Sequence, residues 1–408
     1  MKGGYKNSER GILPREWVLE KLGTRATFRT GPFGSALHKS DYTNDGIPIV
    51  NPMHIIDGEI VPTRTMTVTE TAAKQLDEFR LRLRDVVIGR RGDMGRCAVV
   101  GEEQVGWLCG TGSMIVRCGD QTDAGFLQRT LSSPKVISVI ESCSVGSTMI
   151  NLNQAVLSNL LIQFPPLPEQ RAIATALSDV DALIAGLDSL IAKKRDIKQA
   201  VMQQLLTGKL RLPGFSGGWQ RKRLGDIATF FSGGTPSTSM PSYYSGDIPW
   251  ITSGDLNQSI ISNVEGRISA SGLRNSSAKM IAEDTLLIAL YGATAGVVAV
   301  SKVAAAIHQA VLAICPKDDS HKFLFFKLGF VKDWLITTYT QGGQPNLSGA
   351  IVKSIELTMP SVEEQNAIAN LLSDMDNELN GTINQRNKVR ALKQGMMQEL
   401  LTSKTRLI

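Results

Sequence analysis

"PLPEQRAIATALSDVD" at Pro166–Asp181 decides the fold, because the chain repeats it as "SVEEQNAIANLLSDMD" at Ser361–Asp376. The two stretches lie 195 positions apart, and the same offset aligns the residues that follow them, up to Leu212 and Leu407, without a gap. Repetition at one fixed offset indicates an internal duplication. The chain of 408 residues is therefore expected to contain two related halves.

Each copy of the repeat predicts a long amphipathic helix. From Ile173 to Ile191 the apolar residues recur at alternating steps of four and three, which is the spacing of one helix face. Pro168 suits a first helical turn, and Ser361 with Glu364 forms a capping box at the equivalent start. A solitary amphipathic helix leaves its apolar face in water, so the two helices are expected to pack on each other.

The charges of the repeat predict the direction of that packing. Acidic residues such as Asp181 and Asp376 come early in each helix, and basic residues such as Lys198 and Lys393 come late. Antiparallel packing brings opposite charges together, although the same charges could simply form a solvent-exposed face. The residues predicted to lie in the helix interface or against a partner are Gln170, Ile173, Leu177, Val180, Ile184, Leu187, Ile191, Val201, Leu205, Gln365, Ile368, Leu372, Met375, Leu379, Met397 and Leu400.

The segments outside the repeat resemble each other more weakly. "WVLEKLGTRATF" at Trp17–Phe28 shares its Trp, Leu-Gly, Ala-Thr and Phe positions with "WQRKRLGDIATF" at Trp219–Phe230. Both segments contain short β-branched runs separated by glycines, which predict twisted, mainly antiparallel sheets. We therefore expect an α+β fold with pseudo-twofold symmetry, in which an antiparallel two-helix coiled coil separates module one (1–164) from module two (213–358). The helices are assigned to 165–212 and 359–408.

Composition favours a cytoplasmic protein with no catalytic centre of its own. The net charge of +6 is compatible with a polyanionic partner. No apolar stretch approaches the roughly 20 residues of a membrane span, and "MKGGYKNSER" lacks the apolar centre of a signal peptide. The five cysteines form no CxxC pair, the four histidines lack metal-ligand spacing, and no phosphate-binding G-x-x-x-x-G-K motif occurs. We expect no bound metal or cofactor, and the acid pair Asp318/Asp319 is interpreted as a solvent-exposed turn.

The strongest nucleic-acid signal is a glycine-rich loop with three arginines. Arg90, Arg91 and Arg96 lie among glycines that let the backbone approach phosphates, and arginine is the usual reader of guanine. The corresponding stretch of module two is "ALYGATAG", with Tyr291 and no arginine. A glycine-rich turn with solvent-exposed arginines would look the same. The DNA-binding candidates are Lys39, Tyr42, Arg90, Arg91, Arg96, Ser147, Thr148, Tyr243, Tyr244, Tyr291, Gln341 and Gln344.

The whole chain resembles the specificity subunits of type I restriction-modification systems. The resemblance is carried, in order, by "LPREWVLEKLG", "PPLPEQRAIATALSDVD", "KQAVMQQLLTGKLRL", "IPWITSGDL", "EEQNAIANLLSDMD" and "KQGMMQELLTSKTRL". It implies that each module is a target recognition domain for one half of an asymmetric bipartite DNA site. It also implies that the paired helices set the spacer between the halves and dock two modification (methyltransferase) subunits.

The resemblance further implies that catalysis belongs to partner subunits. The complex would be an adenine-N6 DNA methyltransferase and an ATP-dependent endonuclease, with S-adenosylmethionine, ATP and Mg²⁺ bound by the modification and restriction subunits. Two alternatives remain open at this point. One is a stand-alone DNA-binding or antirestriction protein on the same scaffold, and the other is a structural coiled-coil adaptor.

Overall fold

The computed structural model describes residues 5–8, 11–33, 37–143, 152–339 and 346–407. Backbone contacts divide the chain into two compact units, residues 1–188 with 385–408 and residues 189–384. Each unit contains one module together with parts of both repeated helices. The boundaries of the units therefore differ from those of the four predicted segments, because each long helix is divided between the two units.

Module one is built from short strands and short helices. Its strands are β1 (Tyr5–Ser8), β2 (Gly11–Pro14), β3 (Val18–Lys21), β4 (Ala26–Thr30), β5 (Tyr42–Thr43), β6 (Ile47–Val50), β7 (Ile55–Ile56), β8 (Glu59–Ile60), β9 (Thr67–Val68), β10 (Val86–Gly89), β11 (Cys97–Val99), β12 (Leu108–Cys109), β13 (Ser113–Cys118) and β14 (Leu161–Phe164). Its helices are α1 (Glu70–Gln75), α2 (Ala124–Leu131), α3 (Pro134–Ser142) and α4 (Gln154–Asn159).

Two four-stranded sheets organise module one. The first has the order β11-β10-β13-β4 and is antiparallel throughout. The second has the order β12-β6-β9-β5, in which only β12 and β6 run parallel. The "VVIG" run of β10 is buried along its whole length, which is typical of a central strand covered on both faces. A further pair, β3 with β14, joins the start of the module to its end.

Module two repeats this construction. Its strands are β15 (Gln220–Arg223), β16 (Ala228–Ser232), β17 (Ile248–Ile251), β18 (Ile260–Ile261), β19 (Arg267–Ile268), β20 (Lys279–Ile281), β21 (Leu286–Ala289), β22 (Val298–Ser301), β23 (Ala305–Ile307), β24 (Val311–Pro316) and β25 (Glu356–Met359). The long helix α5 (Leu167–Leu205) precedes module two, and the long helix α11 (Val362–Leu400) follows it. The helices of module two itself are α6 (Leu224–Ile227), α7 (Ala270–Arg274), α8 (His321–Phe330), α9 (Lys332–Tyr339) and α10 (Gly349–Ser354).

The sheets of module two correspond to those of module one. The order β16-β24-β21-β22-β18 extends the first sheet by one strand, and β19-β17-β23-β20 again contains one parallel pair, β17 with β23. The pair β15 with β25 closes the module as β3 and β14 close module one. The predicted α+β class, the mainly antiparallel sheets and the duplication are confirmed.

The two long helices, α5 and α11, each span 39 residues. Within the first unit, Lys393 pairs with Asp181 at 2.5 Å and Arg386 pairs with Asp188 at 2.8 Å. Residue numbers rise along one helix as they fall along the other, so these helix segments run antiparallel. The predicted orientation is confirmed there.

The second unit shows the same orientation. Lys194 pairs with Glu378 at 2.5 Å, and Lys198 pairs with Asp376. The Lys198–Asp376 pair is the duplicate of Lys393–Asp181, displaced by the repeat offset. The charge pattern that predicted the direction of packing therefore forms the expected ion pairs in both units.

Each module's core includes residues from both long helices. In the first unit, Ile173 and Leu177 of α5 and Leu400 of α11 belong to one buried cluster with Trp17 and Phe126 of module one. In the second unit, the corresponding cluster combines residues of the two helices with module two; it includes Leu205, Ile368, Leu372, Leu324 and Leu357. The helix interface is thus continuous with the module cores.

Candidate nucleic-acid interface

Loops at one end of the first sheet of module one meet through backbone hydrogen bonds. Arg90, which directly follows β10, donates its N–H to the Gly112 carbonyl at 2.8 Å and accepts from the Leu152 N–H at 2.9 Å. Gly31, which directly follows β4, donates to the Ser113 carbonyl at 3.1 Å. Residues far apart in the chain therefore form a single surface.

Two glycines let the loop after β6 approach this surface. A Cβ on Gly110 would lie 2.3 Å from the Asn51 side chain, and a Cβ on Gly112 would lie 2.8 Å from Pro52. Contacts this short do not occur between ordinary side chains, so the close approach depends on these glycines. We call residues 31–33, 51–54, 89–96, 110–113 and 152–154 the first loop cluster.

Module two brings the equivalent loops together with the same backbone bonds. Leu290 donates to the Ala310 carbonyl at 2.8 Å and accepts from the Leu347 N–H at 2.6 Å. The loop that follows has positive φ at Gly292 (+83°) and Gly296 (+75°), as module one has +80° and +84° in its corresponding loop. We call residues 233–235, 252–255, 289–296, 308–311 and 346–348 the second loop cluster.

The two clusters differ in the side chain at the centre of this shared backbone. Module one has Arg90, which is buried and donates from Nε to the Leu152 carbonyl at 2.9 Å. Burial, and then the charge of Arg91, lower the pKa of Arg90. Module two has the buried apolar Leu290 in the same place. The same backbone position therefore carries a charged side chain in module one and an apolar side chain in module two.

The next position is exposed in both modules. Arg91 projects from the first cluster, and Tyr291 from the second, where it also forms an isolated β-bridge with Asn346. Arg96 is half exposed and forms an ion pair with Asp93. Of the three predicted arginines, Arg91 and Arg96 are placed where a ligand could reach them, and Arg90 lies beneath the surface.

The other tyrosine candidates are partly buried. Tyr42 lies in β5 and pairs with Val68. The Tyr244 hydroxyl donates to the Pro236 carbonyl at 2.5 Å, and its ring packs edge-on to Trp250 at 5.9 Å. Tyr243, which is also half buried, ends a 3-10 turn. Tyr244 therefore has a clear packing role of its own.

For the remaining DNA-binding candidates, the structure describes no side-chain position. The Lys39 backbone begins a 3-10 turn. Ser147, Thr148, Gln341 and Gln344 lie outside the described residues. Their proposed DNA contacts stay predictions.

Two histidines in the clusters cap their own loops. His54 Nδ1 accepts from the Asn51 N–H at 3.1 Å, and His308 Nδ1 accepts from the Ala310 N–H at 3.0 Å. Burial lowers the pKa of both imidazoles, which favours the neutral form that such an acceptor requires. Among the described residues no His, Cys, Asp or Glu group has the arrangement of a metal site, and the five cysteines are free thiols.

One acidic residue has a structural role that the sequence did not indicate. Asp319, interpreted from the sequence as solvent-exposed, is buried, so that interpretation is wrong. It accepts from Lys222 at 2.8 Å and from the Gln365 side chain at 2.7 Å. Gln365 also accepts from the Ser320 N–H at 2.9 Å. The predicted interface residue Gln365 therefore bonds the start of α11 to module two.

Gln170 does the same in the first unit. Its side chain accepts from the Asp123 N–H at 2.8 Å and donates to the Pro165 carbonyl at 2.9 Å. Sequence reasoning missed this role, because periodicity identifies a helix face but not the element that covers it. It also missed Phe33, whose ring is exposed in the first loop cluster; the only sequence signal was an aromatic residue within the glycine-rich "TGPFGS".

Comparison with known proteins identifies the family. The family model described as "Type I restriction modification DNA specificity domain" matches residues 14–193 and again residues 216–389. The chain belongs to this family. The two matches of the specificity domain correspond to the two halves of the duplication.

Individual specificity subunits and their structures are also similar to the chain. The type I restriction enzyme MjaIX specificity subunit of Methanocaldococcus jannaschii is 33% identical over 164 residues, which cover 39% of this chain and 38% of that protein. A second protein of that organism, provisionally assigned as the MjaX specificity subunit, is 24% identical over 99% of this chain and 97% of its own length. The S subunit crystal structure from M. genitalium matches 94% of this chain and 96% of its own with a TM-score of 0.59 at 18% identity, which shows a shared fold.

Within the described parts of this specificity-domain protein, no helix is long and apolar enough to cross a membrane.

Proposed function

We propose that this specificity-domain protein recognises an asymmetric bipartite DNA site and that each module reads one half of it. The observation that carries the proposal is the pair of loop clusters. Their backbones make equivalent hydrogen bonds, whereas equivalent positions carry Arg90 and Arg91 in one and Leu290 and Tyr291 in the other. Arg91 and Tyr291 are the exposed members of this set. Two copies of one scaffold that expose different side chains suit two half-sites of different sequence.

The chemistry of the first cluster suits DNA. Arg91 is exposed beside a turn whose glycines have positive φ, so both a guanidinium group and the glycine backbone can approach the duplex. Arginine can donate two hydrogen bonds to guanine O6 and N7 in the major groove. The net charge of +6 favours association with a polyanion.

The long helices suit the role of a spacer between the two readers. A continuous helix of 39 residues is about 58 Å long at 1.5 Å per residue. Recognition helices of DNA-binding dimers lie about 34 Å apart, or a multiple of that, when they read the same face of the duplex. A helix pair of this length can therefore fix the gap between half-sites.

The helices also carry surface for partner subunits. In the second unit, Leu190 and Ile197 of α5 are exposed and lie seven residues apart, which places them on one side of the helix. We infer that modification subunits dock on the helices and that this chain acts as their non-catalytic specificity subunit in the cytoplasm. Adenine methylation would then use S-adenosylmethionine held by those subunits, and cleavage would use ATP and Mg²⁺ held by restriction subunits.

Replacing Arg91 with alanine tests the proposal. The complex of this chain with its modification subunits is expected to lose selectivity at one half-site, with a cost of about 1–3 kcal/mol for that base contact. The measurement is a genome-wide profile of methylated adenines, made with wild-type and Arg91→Ala complexes. Arg64→Ala is the matched control, because the Arg64 side chain is 91% exposed in the same unit but lies outside the cluster.

The outcome also separates the alternatives. A wild-type chain that binds a specific duplex without any modification subunit would favour a stand-alone DNA-binding protein. A complex that methylates no bipartite site would contradict the proposed function. An unchanged motif and rate in Arg91→Ala would remove Arg91 from the contacts and leave the rest of the proposal in place.

A further inference from the structure

The geometry points to Phe33 as a specificity-determining residue of module one, held by Arg90 for contact with a thymine 5-methyl group. This inference rests on the proposed DNA recognition by the first loop cluster. Arg90 acts as a positioning residue, because it touches the ring and not the DNA.

Phe33 is an exposed aromatic residue with a charged support. Its side chain is 55% exposed, and the guanidinium carbon of Arg90 lies 5.1 Å from the ring centroid. A cation in that position is attracted by the electrons of the ring face. One side of the ring is therefore occupied by Arg90, while much of the ring remains open to a ligand.

Arg90 is fixed from several sides. Its backbone N–H and carbonyl are both hydrogen-bonded within the cluster, and Nε donates to the Leu152 carbonyl at 2.9 Å. Only 4% of the residue is exposed. A guanidinium group held in this way has little freedom to move, so a ring resting on it is held in a defined place.

The fold itself does not require an arginine at this position. Arg90 Nη1 is buried without a hydrogen-bond partner among the described residues, which is unfavourable for folding. Module two makes the same backbone bonds with the apolar Leu290. The arginine therefore needs an explanation other than stability, and its contact with Phe33 supplies one.

The ring and the arginine change together between the modules. Phe33 is the third residue after β4, and the third residue after β16 is Thr235. Module one thus combines Phe33 with Arg90, and module two combines Thr235 with Leu290. A paired replacement fits a ring and its support that serve one half-site and are absent from the other.

A thymine methyl group is the ligand that suits this ring. The major groove displays that methyl group as the one apolar feature of its base edges, and phenylalanine is among the side chains that contact it. The neighbouring exposed Arg91 can supply a polar contact from the same cluster. Phe33 itself carries no charge and has nothing to offer a phosphate.

Duplexes that contain deoxyuridine test the inference, because deoxyuridine lacks only the methyl group. The modified site is first read from methylated adenines, and each thymine of the half-site read by module one is then replaced in turn. For the wild-type complex, one replacement is expected to weaken binding about fourfold, the effect of losing one buried methyl-sized group. In Phe33→Ala the normal duplex should bind at least about fourfold more weakly, and that same replacement should cause no further loss.

Variants of Arg90, the residue that positions the ring, and a control variant complete the test. Arg90→Leu, which copies module two, should keep the thermal unfolding midpoint and weaken the normal duplex, and Phe33→Ala/Arg90→Leu should bind like Phe33→Ala. Leu83→Ala should bind normally, because Leu83 is 52% exposed but lies before β10, at the strand end opposite the cluster. A wild-type complex without sequence selectivity would refute the proposed function and this inference together. A selective complex in which Phe33→Ala leaves every deoxyuridine penalty unchanged would refute the inference alone.

Discussion

At the scale of single residues, a buried carboxylate at the start of each long helix binds an arginine from the segment that follows the other helix. Glu169 near the start of α5 accepts from Trp17 Nε1 at 3.1 Å and from Arg406 at 2.8 and 3.1 Å. Its duplicate Glu364 accepts from Arg211 at 2.5 and 2.6 Å. The acid and the arginine are both displaced by the repeat offset, so the duplication preserved a two-residue interaction between the start of one helix and the segment after the other.

Replacing Glu169 with glutamine should destabilise the first unit. The side chain is 1% exposed, and a buried ion pair that loses one partner costs about 3 kcal/mol or more. Urea unfolding of the full chain, followed by tryptophan fluorescence, measures this change. Glu16→Gln is the control, because Glu16 binds the same Arg406 from the exposed side and should cost less than about 1 kcal/mol. Equal effects of the two substitutions would contradict the role assigned to burial.

Lys327 of α8 predicts a pH dependence of the second unit. It is buried, donates to the Leu206 carbonyl at 2.5 Å and lies over the Trp219 ring, and burial lowers its pKa from 10.5 to about 8. Between about pH 8 and 10.5 the unfolded chain therefore binds more protons than the folded chain. Stability from this group should rise with pH across that window, by about 3 kcal/mol in all.

The variant Lys327→Met isolates that contribution. Urea unfolding at several pH values from 7.5 to 10.5 gives the dependence for wild type and variant, and their difference removes the titration of all other groups. The wild-type chain should gain stability relative to Lys327→Met as the pH rises. If the free energies of unfolding of wild type and variant change equally with pH, Lys327 has the same pKa in the folded and unfolded chain, and the prediction is wrong.

At the scale of elements, the helix face was readable from the sequence because periodicity is a local property. Leu177 and Leu372 were predicted in the interface, and both are completely buried. The sequence did not indicate which module residues bond to Gln170 and Gln365, because only the tertiary fold brings Asp123 close to Gln170 and Asp319 and Ser320 close to Gln365. The support of Phe33 by Arg90 was hidden for the same reason, since 57 positions separate two residues whose side chains meet.

Adjacent leucines of α11 provide a matched test of the helix interface. Leu372 is 0% exposed in the second core, and Leu371 is 38% exposed. Leu372→Ala should cost about 2–5 kcal/mol of stability, because it leaves a cavity. Leu371→Ala should stay within about 0.5 kcal/mol, so a similar loss in both variants, measured by urea unfolding, would contradict the assigned helix face.

At the scale of the whole molecule, the duplication was evident from sequence and the differences between its halves carried the functional information. The offset of the repeat identified equivalent helices, and their charges gave the antiparallel direction seen in each unit. The loop clusters could be located only approximately, because residues from several distant segments create them. The sequence did show that one loop contains arginines where the equivalent loop contains Tyr291.

Lengthening both long helices by seven residues should lengthen the recognised DNA spacer. The ion pairs Asp181–Lys393 and Asp188–Arg386 define a register in which the bond between positions 186 and 187 faces the bond between 387 and 388. Seven residues are close to two full turns, so matched insertions at these points nearly preserve the facing sides of the helices. They add about 10.5 Å of helix, which corresponds to about three base pairs at roughly 3.4 Å each.

The two half-site sequences should stay unchanged in that variant, because neither loop cluster is altered. Profiling methylated adenines in cells that carry the lengthened chain and its modification subunits gives both the half-sites and the spacer. Insertion into α5 alone is the control, since Asp181 and Asp188 can then no longer both stay in register with their partners, and it should abolish methylation. A doubly lengthened chain that still methylates the original spacer would show that the helices do not set the distance between the two halves of the site.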